Sequence, residues 1–476
     1  MEIGKLEFKK DSQRAVNNKT LQRALIYSTD RLRERRKAAV EKVKNWEELR
    51  TRAREIKEEA INNLDRYLEL LESNVIKVGG IVHWAKDAEE ASSIILDIAV
   101  KRNVKSVVKS KSMATEEIEL NHVFESSGIE VVETDLGEYI IQLAGETPSH
   151  ITAPAIHKTK EDIARLFSEK LNIPYYPESE QLTKVARDIL RGKFLNADMG
   201  VSGVNFAVAE TGTIVIVENE GNARLSTTLP RIHIALMGIE KIIPRFSDLS
   251  VLLSVLARSA TGQKMSSYVS FISGPRRKNE NDGPEEFHLV ILDNGRSGIL
   301  SSNVTRESLY CIRCGACLNI CPVYRKVGGH SYGWVYSGPI GAIITPQLQG
   351  LKKGSELPFA STLCGACKDV CPVKIDIPRI LLELRRRVVE GRSEDRVGGG
   401  FFQKLGIKLW RLSMEKRKIY EVLLSLSYFL QQIWTRGSQD MIKTLPFPFS
   451  LWTKHRDFPR VSKHPFRERW KEIKQL

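Results

Sequence analysis

The chain has 476 residues and a formal net charge of +15, with 42% hydrophobic and 28% charged residues. That length exceeds one ordinary core and predicts two or three globular domains. No run reaches the ~18–20 continuous apolar residues of a membrane span. The opening MEIGKLEFKKDSQRA has no apolar h-region and no small-residue cleavage site, so a cytoplasmic chain without a secretory signal is expected.

Near the N-terminus, apolar residues recur at three- and four-residue steps, including Val40, Val43, Leu49, Ile56, Leu64 and Leu71, with charges between them. This pattern predicts an amphipathic packing helix over 20–73 within a helical extension spanning 1–75. From about residue 77 the pattern changes. IVHWA (81–85), VKSVVKS (104–110) and IEVVET (129–134) read as strands, with helices over 87–100 and from Ser112 or Thr115 between them. Such alternation predicts an α/β domain with a largely parallel sheet. Further strand-like runs at 204–209, 213–218, 231–237, 268–273 and 287–292 extend this domain over 76–300, with a polar loop at 275–286.

The α/β domain shows no G-x-G-x-x-G after a strand, so nothing argues for a dinucleotide. Its best candidate for a ligand-facing turn is Glu210-Thr211-Gly212-Thr213, between two apolar strands, followed by Asn219-Glu220-Gly221-Asn222. Both also fit ordinary hairpin and turn chemistry. Lys109, Lys111, His150 and His157 are further candidates.

All seven cysteines fall within 311–371. Clustering of this kind points to metal ligation rather than disulfides. Cys311, Cys314, Cys317 and Cys321-Pro322 follow the C-x2-C-x2-C-x3-C-P spacing. In two-cluster ferredoxins the first three thiolates hold one iron–sulfur cluster and the fourth turns to the other. Cys364, Cys367 and Cys371-Pro372 repeat the last three positions, and Ser361 stands where the first cysteine is expected. The crossed scheme assigns Cys311, Cys314, Cys317 and Cys371 to a [4Fe-4S] cluster one. Cys321, Cys364 and Cys367 are left for cluster two. The second is then either [3Fe-4S] or [4Fe-4S] with a non-cysteine ligand, Ser361 or water. Zinc ribbons and plant-type ferredoxins do not share this spacing. The separator contains GGHSYGWVYSGPIGAI (328–343), whose glycines permit close backbone approach; His330 within it reads as structural. The long separator and GPIGAI resemble the helical two-cluster module of succinate dehydrogenase iron–sulfur subunits.

The iron–sulfur region thus spans 301–395. EGRSEDRVGGG (390–400) reads as a linker, and 396–476 as a basic region bearing Trp410, Trp434, Trp452 and Trp470. From residue 401 onward, 16 Lys and Arg stand against 6 Asp and Glu. Such a tail suits an acidic partner, an anionic surface or nucleic acid.

Several segments together resemble the iron–sulfur subunits of bacterial and archaeal L-lactate utilisation systems. They are KSKSMATEEI (109–118), the ETDLGEY…APAIHK stretch (133–158), GVSGVNFAVAETGTIVIVENEGN (200–222), TTLPRIHIALMGIEKIIP (227–244), both cysteine runs and the WTKHRDFP…FRERW ending (452–470). The likeness covers nearly the whole chain. It implies an α/β domain of the sugar-phosphate isomerase/CoA-transferase-like type beside a mainly α-helical two-cluster ferredoxin domain, with helical extensions at both ends. It also implies electron transfer during oxidation of L-lactate to pyruvate, alongside two partner subunits of A and C type. The shortened second run is usual in that family. Two alternatives are kept. In one, the α/β domain itself binds or oxidises a small hydroxy acid. In the other, a nucleic-acid-binding Fe–S protein uses the basic tail; nucleic acid is not the expected partner.

Overall fold

The computed structural model describes residues 6–391, 401–434, 441–447, 449–454 and 456–474. It divides into two compact units, 1–397 and 398–476. Most of the linker expected at 390–400 lies outside the described residues.

The first unit opens with four helices: α1 (Phe8–Asn17), α2 (Lys19–Glu41), α3 (Trp46–Asn62) and α4 (Leu64–Lys77). The single helix expected over 20–73 is therefore broken twice. The apolar period runs through both breaks, so periodicity does not reveal them. The signals are asparagines, which favour helix boundaries. Asn45 precedes α3, and Asn63 joins α3 to α4 at φ −124°.

Ten strands follow: β1 (Ile81–Ala85), β2 (Ser106–Lys109), β3 (Glu130–Glu133), β4 (Met199–Gly203), β5 (Phe206–Val208), β6 (Thr213–Glu218), β7 (Ile232–Gly238), β8 (Ile242–Ile243), β9 (Tyr268–Ile272) and β10 (Glu286–Leu292). Six form one sheet in the order β1-β10-β7-β4-β2-β3, and every pairing in it is parallel. β7 is buried along its whole length, as expected for a strand with layers on both faces. The helix expected over 87–100 is Ala88–Lys101, capped by Asp87, whose carboxylate accepts the Glu90 N–H. The remaining strands make a second sheet, β8-β5-β6-β9, in which β5–β6 and β6–β9 are antiparallel.

The cysteine region is built of short helices, including Ala316–Ile320, Gly338–Leu348, Ala366–Val370 and Ile377–Glu390. Its apolar side chains share one continuous core with α2–α4 and the second sheet. Close approach fixes that packing: a Cβ on Gly329 would lie 1.7 Å from the Ser149 carbonyl oxygen.

In the second unit, helices Phe401–Glu415 and Arg417–Trp434 precede a two-strand antiparallel pair, Met441–Ile442 with Phe458–Pro459, and the helix Phe466–Ile473. Among the described residues, no helix is long and apolar enough to cross a membrane.

Candidate iron–sulfur centres and an adjoining cavity

The two cysteine runs share one backbone path. In each, the residue before the second position is left-handed, Arg313 at φ 59° and Leu363 at φ 56°. A left-handed glycine follows, Gly315 or Gly365, and then one short helical turn ending at the Cys-Pro step. A left-handed non-glycine residue costs about 1–2 kcal/mol. Its recurrence at both places marks a geometry that the fold imposes. The Arg313 N–H donates to Cys311 Sγ at 3.4 Å, and the Leu363 N–H donates to Ser361 Oγ at 3.1 Å. The Ser361 hydroxyl therefore occupies the place in the second run that the Cys311 sulfur has in the first.

Cys311, Cys314, Cys317 and Cys371 line one pocket, walled by Ile151, Ile340 and Ile377. Cys371 thus joins the first run across some fifty residues of chain. Burial, and then the nearby Cys321 and Cys364 sulfurs, push the Cys367 thiol up to about 12. Burial pushes Cys371 up to about 11 and also raises Cys314, Cys317 and Cys321. Iron must displace those protons, and thiolates then gain a partner that an apolar shell otherwise denies them. Cys364 differs. It is exposed, and the Ala366 N–H lowers its pKa. Two thiol sets, one sunk in the core and one reaching the surface, are a donor set suited to two iron–sulfur clusters. Backbone N–H groups of Arg313, Tyr324 and Ile375 point at sulfurs, the type of contact that tunes cluster potential.

The N-terminal helices, read from sequence as packing alone, hold the second run. Arg50 Nε and Nη2 donate to the Cys371 carbonyl at 3.0 and 2.8 Å. Arg36 Nη2 donates to Val370 O at 2.9 Å and Arg54 Nη1 to Lys374 O at 2.7 Å. These arginines are invisible to motif reading, because their partners lie more than 300 residues away.

A cavity of about 270 Å³ lies at the carboxyl ends of the parallel strands, where ligands sit in open α/β sheets. β2 delivers Lys111 to it, β4 Asn205, and β7 Glu240 and Lys241; the cysteine region adds Arg313 and Tyr336. Ile151 lines both this cavity and the first cysteine pocket. Arg296 reaches Glu117 through Nη1 and Nη2, both at 2.8 Å, and Glu240 through Nε at 2.6 Å. Arg313 Nη2 donates to Glu240 at 3.1 Å, and its guanidinium lies 4.5 Å from the Tyr336 ring centroid. Gly238 is required here, since a Cβ would lie 2.1 Å from Glu240 Oε2.

The sequence candidates are distributed unevenly. Glu210-Thr211-Gly212-Thr213 is the β5–β6 hairpin turn. Asn74 Nδ2 donates to the Ala209 and Glu210 carbonyls, Glu210 accepts the Phe246 N–H, and Thr213 bonds Ser273. This turn faces α4, and none of its residues lines the cavity. Asn219, Glu220 and Asn222 do line it. Burial and the neighbouring Asp135 push Glu220 up to about 7. Lys109 is buried between Glu116 and Glu133. His150 is held by Asn319 and the Thr152 and Ala153 N–H groups. His157 bonds Glu146 and Ser149 and stands 4.5 Å, centroid to centroid, from His330.

The fold and the cysteine sites define an iron–sulfur protein in which an α/β domain is joined to a two-cluster module. Family models match accordingly: an LUD domain over residues 68–292 and a 4Fe-4S dicluster domain over 307–375. "Lactate utilization protein B" of Bacillus subtilis (strain 168) is 48% identical over 98% of this chain and 96% of its own length. The protein of that name from Geobacillus sp. (strain WCH70) is 45% identical over 99% and 98%. The chain belongs to the lactate utilization protein B family. A solved structure, a duf162 family protein from Deinococcus radiodurans, covers 48% of this chain at 13% identity with a TM-score of 0.28. That likeness is too weak to argue from.

Proposed function

We propose that this chain is the electron-transfer subunit of a cytoplasmic L-lactate oxidising complex, working with two further lactate-utilisation subunits of A and C type. The observation that carries the reading is the crossed arrangement of the cysteines: Cys371 lines the pocket of the first run, and Cys321 sits beside Cys364. On this reading Cys311, Cys314, Cys317 and Cys371 hold a [4Fe-4S] cluster one, and Cys321, Cys364 and Cys367 hold cluster two, which is either [3Fe-4S] or [4Fe-4S] with a non-cysteine fourth ligand, Ser361 or water.

The clusters, when bound, exchange electrons one at a time, which suits a two-electron oxidation carried out elsewhere in the complex. The chain's own residues set the conditions. Ile151, Ile340 and Ile377 keep water from the first site. Arg50 and Arg36 fix the second run and place positive charge beside Cys371. The exposed Cys364 end offers the contact to a redox partner.

We read the chain as a helical extension (1–75), a sugar-phosphate isomerase/CoA-transferase-like α/β domain (76–300), a helical two-cluster ferredoxin domain (301–395) and a basic partner-binding region (396–476). Anaerobic purification of the full chain from its host tests the reading. Roughly seven to eight irons per chain are expected from the two-cluster ligation logic, together with co-purification of the two partners. Fewer than four irons, or a chain isolated without partners, counts against it.

A further inference from the structure

The cavity at the carboxyl edge of the sheet holds cationic donor atoms that make no hydrogen bond within the chain. Arg313 is 7% exposed, yet its Nε and Nη1 have no hydrogen-bond partner, and neither does the buried Nζ of Lys111. Both residues line the cavity. A buried charged donor without a partner costs several times more than a satisfied one returns, so it marks a place where something else supplies the acceptor.

The cavity is lined by four cations, Lys111, Lys241, Arg296 and Arg313, and four carboxylates, Asp135, Glu218, Glu220 and Glu240, but their hydrogen-bonding capacity is not evenly spent. On the side of the cysteine run, Glu117 and Glu240 face Arg296, Arg313 and Lys241. Arg296 is consumed by contacts to both carboxylates. Arg313 gives Glu240 only Nη2. Burial, and then the adjacent Arg313, lower Lys241 to about 8. Across the cavity, Lys111 has Glu138 and Glu220 for neighbours, and burial raises both carboxyls toward their neutral forms. The walls between are partly apolar, with Ile151, Leu256 and Ala257.

We infer that this cavity is a binding site for a small organic carboxylate, whose oxygens accept from Arg313 and Lys111 while its carbon chain lies against the apolar wall. The partly apolar wall of Ile151, Leu256 and Ala257 suits an organic carboxylate better than phosphate, which has no carbon to lay against it. The site is distinct from the cysteine pockets, yet Ile151 lines both and Arg313 stands between Cys311 and Cys314 in the chain, so a bound carboxylate sits against the first cysteine run. The inference rests on the lactate reading only for the choice of probe.

Isothermal titration of the full, cluster-loaded chain with sodium L-lactate, sodium pyruvate and inorganic phosphate tests it. One equivalent of L-lactate or pyruvate is expected to bind, and phosphate more weakly. Lys111→Met and Arg313→Gln should each weaken binding by about 10- to 100-fold, the range for losing one charge-assisted hydrogen bond. Iron content is measured on every sample. If Arg313→Gln loses iron, Lys111→Met, outside the cysteine region, decides alone. No carboxylate binding at millimolar concentration, unchanged affinity in Lys111→Met, or tighter binding of phosphate overturns the inference. None of those results touches the electron-transfer reading, which stands or falls on iron content and partners.

Discussion

At the scale of single residues, the most informative positions are those where chemistry and fold meet in one side chain. Glu240 is one. Burial alone would raise its pKa, but Arg296 and Arg313 outweigh that and hold it down to about 2, below an ordinary value of 4.5. A carboxyl depressed by folding contributes stability that is present above the unfolded value and lost as pH falls from about 4.5 toward 2, worth about 3 kcal/mol if fully realised. Glu240→Gln should therefore lower stability at pH 7 by about 3 kcal/mol, because Arg313 loses its carboxylate and Arg296 keeps only Glu117. The gap between variant and wild type should narrow as pH falls below 4.5. Denaturant midpoints across that range check this, and a gap independent of pH would refute it. Ser361 is another such position. Its hydroxyl takes the N–H that the Cys311 sulfur takes in the first run. Ser361→Cys should accordingly give cluster two four thiolates and slow its conversion by air to a three-iron form, read from the EPR signal of the oxidised protein. An unchanged rate would remove Ser361 from the ligand set.

At the scale of elements, the sequence shows what local pattern encodes and hides what distance encodes. IVHWA and TIVIVE appear as the strands β1 and β6 at the expected bounds, because apolar runs bounded by turn residues suffice to define them. β4 was not visible. Its sequence, MGVSG, carries two glycines, yet it lies near the centre of the parallel sheet and is largely buried. Gly200 is needed there, since a Cβ would lie 1.7 Å from the Ser226 carbonyl oxygen. Tertiary packing overrides propensity at such a position. The same division holds for the candidate site. Cysteine spacing is local and legible. The arginine clamp on the second run and the Arg313–Glu240–Arg296 group are assembled from distant segments, and nothing short-range announces them. The clamp yields a prediction. Arg50→Ala removes three hydrogen bonds to the Cys371 and Lys368 carbonyls. It should speed iron loss under chelator while leaving the α/β sheet folded, as followed by iron release and circular dichroism. The crossed pairing yields a second. Cys314→Ala should destroy cluster one and spare the oxidised three-iron signal of cluster two, and Cys364→Ala should do the reverse. Selective loss of the three-iron signal in Cys314→Ala would show the pairing to be wrong.

At the scale of the whole molecule, the seven cysteines and the arginines that hold them lie in the unit spanning 1–397, and the second unit contributes none of them. What the second unit carries is surface. On its first two helices Trp410 is 62% exposed, Phe429 68% and Leu426 52%, and Trp452 and Trp470 are exposed further on. Apolar area of this kind beside concentrated charge marks an interaction surface more often than idle surface. Tryptophan and arginine are the residues most often found as interface anchors. With 16 basic against 6 acidic residues from position 401 onward, the complementary surface is acidic. On the proposed function it belongs to a partner lactate-utilisation subunit. Deleting 401–476 should therefore leave iron content and the EPR signals of both clusters unchanged. It should abolish co-purification with the partners and, through that, growth on L-lactate, while growth on pyruvate stays normal. The full-length association should weaken with salt, because exposed charges are screened within about 10 Å at 0.1 M. Co-purification of the truncated chain at normal yield would show that the partners dock elsewhere. Loss of iron from the truncated chain would show instead that the second unit supports the clusters.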